Sequence, residues 1–246
     1  MGPLPRELVG VLACPACRRE LRPRGTNLGC SGCGRVFAVS DGIPDLRCQL
    51  DARTEAVRDF YSAAPFPGYP PRDDYPALRA RAERSEFARL LDQAIAPDAT
   101  VLEVGCGTGQ MSLFLATGDR LVVGADLTRA SLELAAEAAR RFGIERVRFV
   151  ETELHSPGLQ AGAFDVVYCS GVLHHTPEPQ ASFRAIAQLM RPGGVIVVGL
   201  YNAYARVPHR LRRAVARLTR FRWIPFDPVL RDRESEPARR LAWLRD

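Results

Sequence analysis

The chain has 246 residues, of which 46% are hydrophobic, and a formal net charge of +6. This length and composition predict a soluble globular protein with the core of one ordinary domain and room for a small second one. The N-terminus lacks the pattern of a signal peptide, and no apolar run approaches the roughly 18 residues of a membrane span. A membrane span is therefore not expected, and a cytoplasmic location is.

All 34 basic residues are arginine, a usage more typical of a genome-wide codon preference than of a local functional choice. Residues 201–246 contain 12 Arg and 5 acidic residues, a net charge of +7, so the rest of the chain carries −1. The basic character therefore belongs to the C-terminal segment.

Residues 1–46 are predicted to form a small zinc ribbon. The pairs Cys14/Cys17 and Cys30/Cys33 are separated by twelve residues, and each C-x-x-C pair can form a knuckle that aims two thiolates at one tetrahedral ion. Four sulfur ligands leave no open position for a catalytic water, which indicates a structural zinc ion. So short a segment buries little apolar surface, so we expect the metal to fold it.

The segment from Leu12 to Leu46, with its motifs CPAC, CSGCGRVF and DGIPDL, resembles the small bacterial zinc-ribbon family related to the activator subunit of tRNA and protein methyltransferases. Two interpretations are open. The ribbon either only completes the fold, or contacts a substrate or a partner.

Residues 47–96 are predicted to be a linker and a helical lead-in. Pro65-Phe-Pro-Gly-Tyr-Pro-Pro71 excludes a helix or a central strand, since proline lacks an amide donor and fixes φ. Residues 78–95 carry apolar side chains at helical spacing and are expected to form one helix on the sheet.

Apolar strands and helices alternate regularly from Thr100. Strands are predicted at 100–104, 120–125, 147–150, 164–169 and 195–200, and helices at 110–117, 129–142 and 179–190. The alternation predicts a doubly wound, Rossmann-like α/β fold with a mostly parallel sheet covered on both faces. Ligands of such sheets bind beyond the carboxyl ends of the strands.

The turn after the first of these strands reads Glu103-Val-Gly-Cys-Gly-Thr-Gly-Gln110. Its glycines can adopt positive φ and admit a ligand close to the backbone, and the next helix is expected to point free N–H groups at an anion. The dinucleotide motif G-x-G-x-x-G requires glycine or alanine where this chain has Gln110, which disfavours nicotinamide binding. The pattern E-x-G-x-G-x-G instead resembles motif I of class I S-adenosylmethionine-dependent methyltransferases.

This resemblance spans about residues 55–205 and implies roles for individual residues. Asp126 would accept hydrogen bonds from the ribose hydroxyls, whereas a role in capping the next helix is disfavoured because Thr128 can supply that cap. Glu153 would accept from the adenine amino group, with Glu151 as a competitor. The other implied cofactor contacts are Glu103, Gly105, Cys106, Gly107, Gly109, Gln110, Leu127, Leu154 and Ser170.

Two adjacent histidines follow the fourth strand. His174 and His175 are candidate general bases, since imidazole titrates near neutral pH; the alternative is that they only pack and hydrogen-bond near the cofactor, as a similar Leu-His-His does in family members with unlike substrates. Tyr201 and Asn202 are candidates to line the substrate pocket. The same resemblance makes the proline-rich segment 65–71 a candidate lid over the cofactor, with an interdomain linker as the equal alternative.

The S-adenosylmethionine-binding domain is predicted at 97–205, followed by a basic helical tail at 206–246. The tail has an arginine stripe and an apolar stripe, which are typical of a solvated helix covering the sheet or of a helix that meets phosphate, an anionic membrane or an acidic partner. Because no alternating run of strand length follows residue 200, strands six and seven of the methyltransferase sheet are expected to be missing. The edge of strand five would then be exposed and favour self-association.

Three functions are compatible with these features. The first is methyl transfer from S-adenosylmethionine to a small molecule, for example a specialised metabolite; the others are methylation of RNA and a non-catalytic zinc-bearing binding module. Because the sulfonium already activates the methyl group, positioning supplies most of the catalysis, roughly 7 to 11 kcal/mol. No catalytic constellation is therefore required, and the acceptor atom is not encoded in a motif.

Overall fold

The computed structural model describes residues 4–48, 50–63, 65, 74–202, 204 and 207–218. The chain divides into two compact units, Met1–Gly199 and Leu200–Asp246. The domain boundaries expected at residues 46, 96 and 205 remain predictions.

The first unit begins with small elements around the four cysteines, which we call the cysteine module (residues 4–48). It contains one short helix, a three-stranded antiparallel sheet in the order β1-β2-β3, and a two-stranded antiparallel sheet. Its elements are α1 (Arg6–Val9), β1 (Leu21–Arg24), β2 (Asn27–Cys30), β3 (Val36–Phe37), β4 (Val39–Ser40) and β5 (Ile43–Pro44).

Three helices lead into the large sheet, namely α2 (Ala52–Ala63), α3 (Tyr75–Ala82) and α4 (Glu86–Ala94). The prediction of one helix over 78–95 was wrong. The Ser85 side chain accepts a hydrogen bond from the Ala88 N–H and begins a new helix, because a hydroxyl at this position satisfies an otherwise unpaired amide. Residues 66–73, which include most of the proline-rich segment, lie outside the described residues.

The large sheet has five parallel strands in the order β10-β9-β6-β7-β8. The strands are β6 (Thr100–Val104), β7 (Leu121–Asp126), β8 (Val147–Glu151), β9 (Phe164–Ser170) and β10 (Met190–Gly199), and the helices between them are α5 (Gln110–Leu115), α6 (Arg129–Phe142) and α7 (Pro179–Ala187). The Rossmann-like fold with a parallel sheet is confirmed. The helix predicted to reach residue 190 ends at Ala187, since Met190 already pairs with Phe164 in the sheet.

Both faces of this sheet are buried from β6 to β9, as predicted, whereas no residue of β10 is fully buried. One face packs with α4, α5 and α6 around Val101, Val122 and Phe149. The other packs with α7 and also with the cysteine module, whose Leu12 and Leu46 join the same apolar cluster as Leu102. The cysteine module thus contributes to the hydrophobic core of the first unit and does not form a separate core of its own.

The second unit contains α8 (Val207–Leu218). Leu211 and Leu218, from the predicted apolar stripe, are 67% and 84% exposed, and Arg210, from the basic stripe, is exposed too. In the part of the chain that is described after Gly199, this helix is the one regular element. Residues 219–246, on which the prediction of missing strands depends, lie outside that part. Among the described helices, none is long and apolar enough to cross a membrane.

Candidate functional site

The glycine-rich turn lies at the carboxyl end of β6, in the centre of the sheet. Gly105, Gly107 and Gly109 all have positive φ, at +69°, +53° and +75°, as expected for a turn that only glycine adopts without strain. A Cβ at Gly105 would lie 2.3 Å from Cγ2 of Val172. The glycines therefore serve the packing of the turn against the protein itself as well as the approach of a ligand.

Asp126, the last residue of β7, is joined to this turn. Its Oδ2 accepts from the Gly107 N–H at 2.8 Å, and its Oδ1 accepts from the N–H and the hydroxyl of Thr128 at 2.9 and 2.6 Å. The expectation that Thr128 caps α6 was wrong, because its hydroxyl donates to Asp126 and makes no capping bond. A carboxylate has about four acceptor positions, so three donors orient Asp126 and leave room for a ligand hydroxyl.

Glu103 lies on β6 beneath the turn and is buried. Its Oε2 accepts a hydrogen bond from the Ser112 hydroxyl at 2.5 Å. Burial raises the pKa of the Glu103 carboxyl to about 7, and the nearby negative charge of Asp126 adds to that increase. Glu103 thus links β6 to α5 through Ser112, next to the glycine-rich turn.

A Glu103→Gln variant should therefore be more stable than the wild type at pH 8, by roughly 3 kcal/mol, with the difference shrinking as pH falls and vanishing only below about pH 4.5. Between the unfolded pKa of 4.5 and the folded pKa of about 7, the unfolded carboxyl ionises before the buried one. Wild-type stability consequently falls as pH rises, and glutamine removes this loss. Thermal unfolding of both proteins from pH 5 to 8 measures it, with exposed Glu145→Gln as the control. A constant difference across that range would contradict the burial effect.

Glu151, the last residue of β8, and Glu153, two residues later, differ in their surroundings. Glu151 is buried and ion-paired with Arg47 at 2.8 Å and with Arg129 at 3.6 Å. Glu153 is half-buried and lines a small, mostly apolar cavity with Val104 and Leu154, and burial raises its pKa. Of the two candidates for the contact with the adenine amino group, Glu153 is the one that lines this cavity.

The segment after β9 returns to the glycine-rich turn through Val172. Ser170 is exposed at the end of β9. His174 and His175 lie in a 3-10 turn, Leu173–His175, with ring centroids 4.2 Å apart, and both are half-buried. Among the other predicted contacts, Cys106 is buried in the turn, whereas Leu127 and Gln110 are half-buried beside it.

The four predicted metal ligands lie together in the cysteine module. The sulfur atoms of Cys14, Cys17, Cys30 and Cys33 are all within 4.8 Å of one another. The Sγ atoms of Cys14 and Cys33 are 3.7 Å apart and those of Cys17 and Cys30 are 3.3 Å apart, close to the edge of about 3.8 Å expected for tetrahedral zinc with Zn–S bonds near 2.3 Å.

The surroundings of these sulfurs also suit a cation. The N–H groups of Cys33 and Gly32 donate to the Cys30 sulfur at 3.4 and 3.3 Å and lower its pKa to about 6. Burial instead raises the pKa of Cys14 to about 12, so a thiolate there requires a bound positive charge. The donor set fits one zinc ion.

Sequence reasoning missed the contacts between the cysteine module and the segment after β8. The Leu46 N–H donates to the Glu151 carbonyl at 2.8 Å, the Ala13 N–H donates to the Gly158 carbonyl at 3.0 Å, and Arg18 donates to two further carbonyls of that segment. No sequence signal could have found them, because they join groups more than a hundred residues apart in the chain.

Comparison with known proteins identifies the α/β part of the chain. Residues 95–223 match a family model described as a methyltransferase domain. An uncharacterized protein of Synechococcus sp. is 30% identical over 175 residues, which are 68% of this chain and 42% of that protein. The ubiquinone biosynthesis O-methyltransferase of Escherichia coli is 37% identical over 102 residues, 42% of each chain. The chain thus matches less than half the length of these curated relatives.

Among solved structures, a methyltransferase from Geobacter sulfurreducens in complex with S-adenosylhomocysteine aligns with a TM-score of 0.41 and 21% identity, over 53% of this chain and 55% of that one. The matched family model covers more than half of the present chain and includes the sheet, the glycine-rich turn and Asp126. The chain therefore belongs to the methyltransferase domain family, with a Rossmann-like class I S-adenosylmethionine-dependent domain and a cysteine cluster near its N-terminus.

Proposed function

We propose that this protein transfers the methyl group of S-adenosylmethionine to a small-molecule acceptor. The observation that carries the proposal is the positive-φ glycine turn whose Gly107 amide is bonded to Asp126. The acceptor class is supported by the E. coli relative, which is named as an O-methyltransferase of ubiquinone biosynthesis.

In this proposal the chain holds the cofactor across the carboxyl ends of β6, β7 and β8. Asp126 accepts from the ribose, Glu153 accepts from the adenine amino group, and Leu127 and Leu154 pack against the adenine ring. The remaining contacts, near the methionine end of the cofactor, are Glu103, Gly105, Cys106, Gly107, Gly109, Gln110 and Ser170.

The cofactor supplies an activated methyl group, so the chain has to align the donor with the acceptor and exclude competing water. His174 and His175 are the residues we propose to remove a proton from the acceptor. Their place between β9 and α7, next to the Val172 that packs on the turn, supports this role.

We also propose one structural zinc ion per chain, bound by Cys14, Cys17, Cys30 and Cys33. The distances between their sulfurs support it. Zinc at this position would take no part in the chemistry, since all four coordination positions are filled by the chain.

Calorimetric titration tests the cofactor assignment. Wild-type protein should bind S-adenosylhomocysteine, and Asp126→Ala should weaken binding by about 10-fold to 100-fold, the scale of losing charge-assisted hydrogen bonds. Asp119→Ala is the matched control, because Asp119 is exposed and precedes the opposite end of the same strand. Tight binding of NADH with no response to S-adenosylhomocysteine would refute the assignment, and salt-dependent binding of RNA would replace the small-molecule acceptor with RNA.

A further inference from the structure

The segment that follows β8, residues 152–160, carries two of the three proposed adenine contacts, Glu153 and Leu154, and we call it the adenine-side loop. The Thr152 N–H donates to the Asp126 carbonyl at 2.8 Å, and the Thr152 Oγ1 accepts from the Gly158 N–H at 2.9 Å. The first bond fixes the beginning of the loop to the ribose-side carboxylate residue. The second closes the loop on itself, with Glu153 and Leu154 inside the closed part.

The far end of this loop is held by the first cysteine knuckle. Arg18, which directly follows Cys17, donates from Nη1 to the Pro157 carbonyl at 2.5 Å and from Nη2 to the Leu159 carbonyl at 3.3 Å. Arg18 has a φ of +64°, a conformation that non-glycine residues seldom adopt. The knuckle thus places the Arg18 guanidinium on the loop, where each of its two terminal nitrogens donates to one carbonyl.

The near end is held by the other side of the same module. Arg47 pairs with Asp45 at 2.7 Å and with the buried Glu151 at 2.8 Å, directly before the loop. Here the Leu46 N–H also donates to the Glu151 carbonyl at 2.8 Å, while the Leu46 side chain reaches the far end, where a Cβ on Gly158 would lie 2.5 Å from the Leu46 Cβ. The cysteine module therefore contacts the adenine-side loop at both ends.

We propose that Arg18 is a positioning residue for recognition of the adenine of S-adenosylmethionine, acting by holding the adenine-side loop so that Glu153 meets the adenine amino group. This inference rests on the proposed function and deepens it. A loop that is already fixed before the ligand arrives loses less conformational freedom on binding. The cysteine module thereby contributes to ligand discrimination without itself touching the ligand.

The test uses two ligands that differ at the adenine amino group. S-Adenosylhomocysteine carries that group and S-inosylhomocysteine has an oxygen in its place. Wild-type protein should prefer the adenosyl ligand by about tenfold or more, the scale of a hydrogen bond to a charged acceptor. Arg18→Ala should weaken adenosyl binding by about tenfold and bring the preference close to one. Arg22→Ala is the control, because Arg22 belongs to the same module, is exposed, and among its described contacts has a side-chain bond only to exposed Glu20. It should change neither the affinity for the adenosyl ligand nor the preference.

A double-mutant cycle with Glu153→Gln sharpens the test. If Arg18 acts through Glu153, then adding Arg18→Ala to the Glu153→Gln variant should cost less adenosyl affinity than adding it to the wild type. The proposal would be overturned if Arg18→Ala lowered adenosyl affinity equally in both backgrounds, or if it weakened the binding of both ligands by the same factor. Arg18 would then have only a structural role.

Amide hydrogen exchange of the ligand-free protein gives a readout that does not require cofactor binding. In Arg18→Ala, amides of the adenine-side loop should exchange about tenfold faster, with those of β6 and β7 unchanged. Unchanged exchange would also overturn the proposal. Should Arg18→Ala fail to fold, Arg18→Lys offers a second variant, because its ammonium keeps the charge but lacks the two separated nitrogens that reach the two carbonyls. It should show an intermediate preference, and a wild-type preference in it would count against Arg18. A wild type that binds neither ligand refutes the proposed function, whereas normal wild-type binding with an unaltered Arg18→Ala refutes this inference alone.

Discussion

Replacing Cys14 and Cys30 by serine is expected to remove the metal and to unfold the first unit. The expected loss is large because structural zinc contributes about 10 to 16 kcal/mol of apparent binding free energy in small zinc-binding peptides. The loss of structure should extend beyond the cysteine module, since Leu12, Leu28 and Leu46 share one buried cluster with Leu102 of β6. The soluble yield should collapse, or the protein should melt well below the wild type.

Metal analysis and thermal unfolding measure this outcome. Purified wild type should contain about one zinc per chain, as expected from four thiolate ligands, and Cys48→Ser, outside the cluster, should retain both the metal and the stability of the wild type. Full zinc content in the Cys14→Ser/Cys30→Ser variant would contradict the assignment. Zinc lost on replacing the buried Cys106 or Cys169 would do the same.

Gly105→Ala is expected to abolish cofactor binding, with a loss of at least about 100-fold. Two costs combine: alanine at positive φ costs roughly 1 to 2 kcal/mol, and its Cβ would lie 2.3 Å from Val172 Cγ2, an overlap that the turn relieves only by moving. Overpacking of this kind typically costs about 1 to 3 kcal/mol. Titration with S-adenosylhomocysteine measures the loss of affinity, and thermal unfolding measures the loss of stability.

Gly162 provides the matched control for this substitution. Its φ is +67°, yet nothing lies within 4 Å of a Cβ placed there, so Gly162→Ala carries the backbone strain without the overlap. That variant should lose a little stability and keep its affinity. Adding Val172→Ala to Gly105→Ala should recover part of the lost binding. If Gly105→Ala bound as well as Gly162→Ala, close packing of the turn would not matter for the site.

The sheet was readable from the sequence because its signals are local. Each strand from β6 to β9 is a short apolar run bounded by a turn, so its limits were predicted to within one or two residues. The glycine-rich turn was predicted for the same reason, since the backbone conformation there depends on residue type alone. The break between α3 and α4 was missed because the apolar spacing continues across it, whereas the cap at Ser85 depends on one hydroxyl.

Contacts between distant parts of the chain were not readable. The C-x-x-C spacing predicted which sulfurs meet, but nothing in residues 14–33 indicates that Arg18 would bond to Pro157 and Leu159. Likewise, the positions of Glu151 and Glu153 are equivalent by spacing, and only the arginines brought in by the cysteine module and α6 distinguish them. The residues of the candidate site could therefore be predicted from local sequence patterns. The residues that surround and hold them could not, because their positions depend on tertiary packing.

The two borders of the large sheet are unequal. At the end of β8, Asp45 and Leu46 run beside Glu151, and the Leu46 N–H donates to the Glu151 carbonyl. Along β10, within the described residues, no strand lies on the outer side, and Val195 there is 56% exposed. Two copies that paired through β10 around a twofold axis would each cover this border of the other, so the self-association expected from the sequence would close at a dimer along this strand.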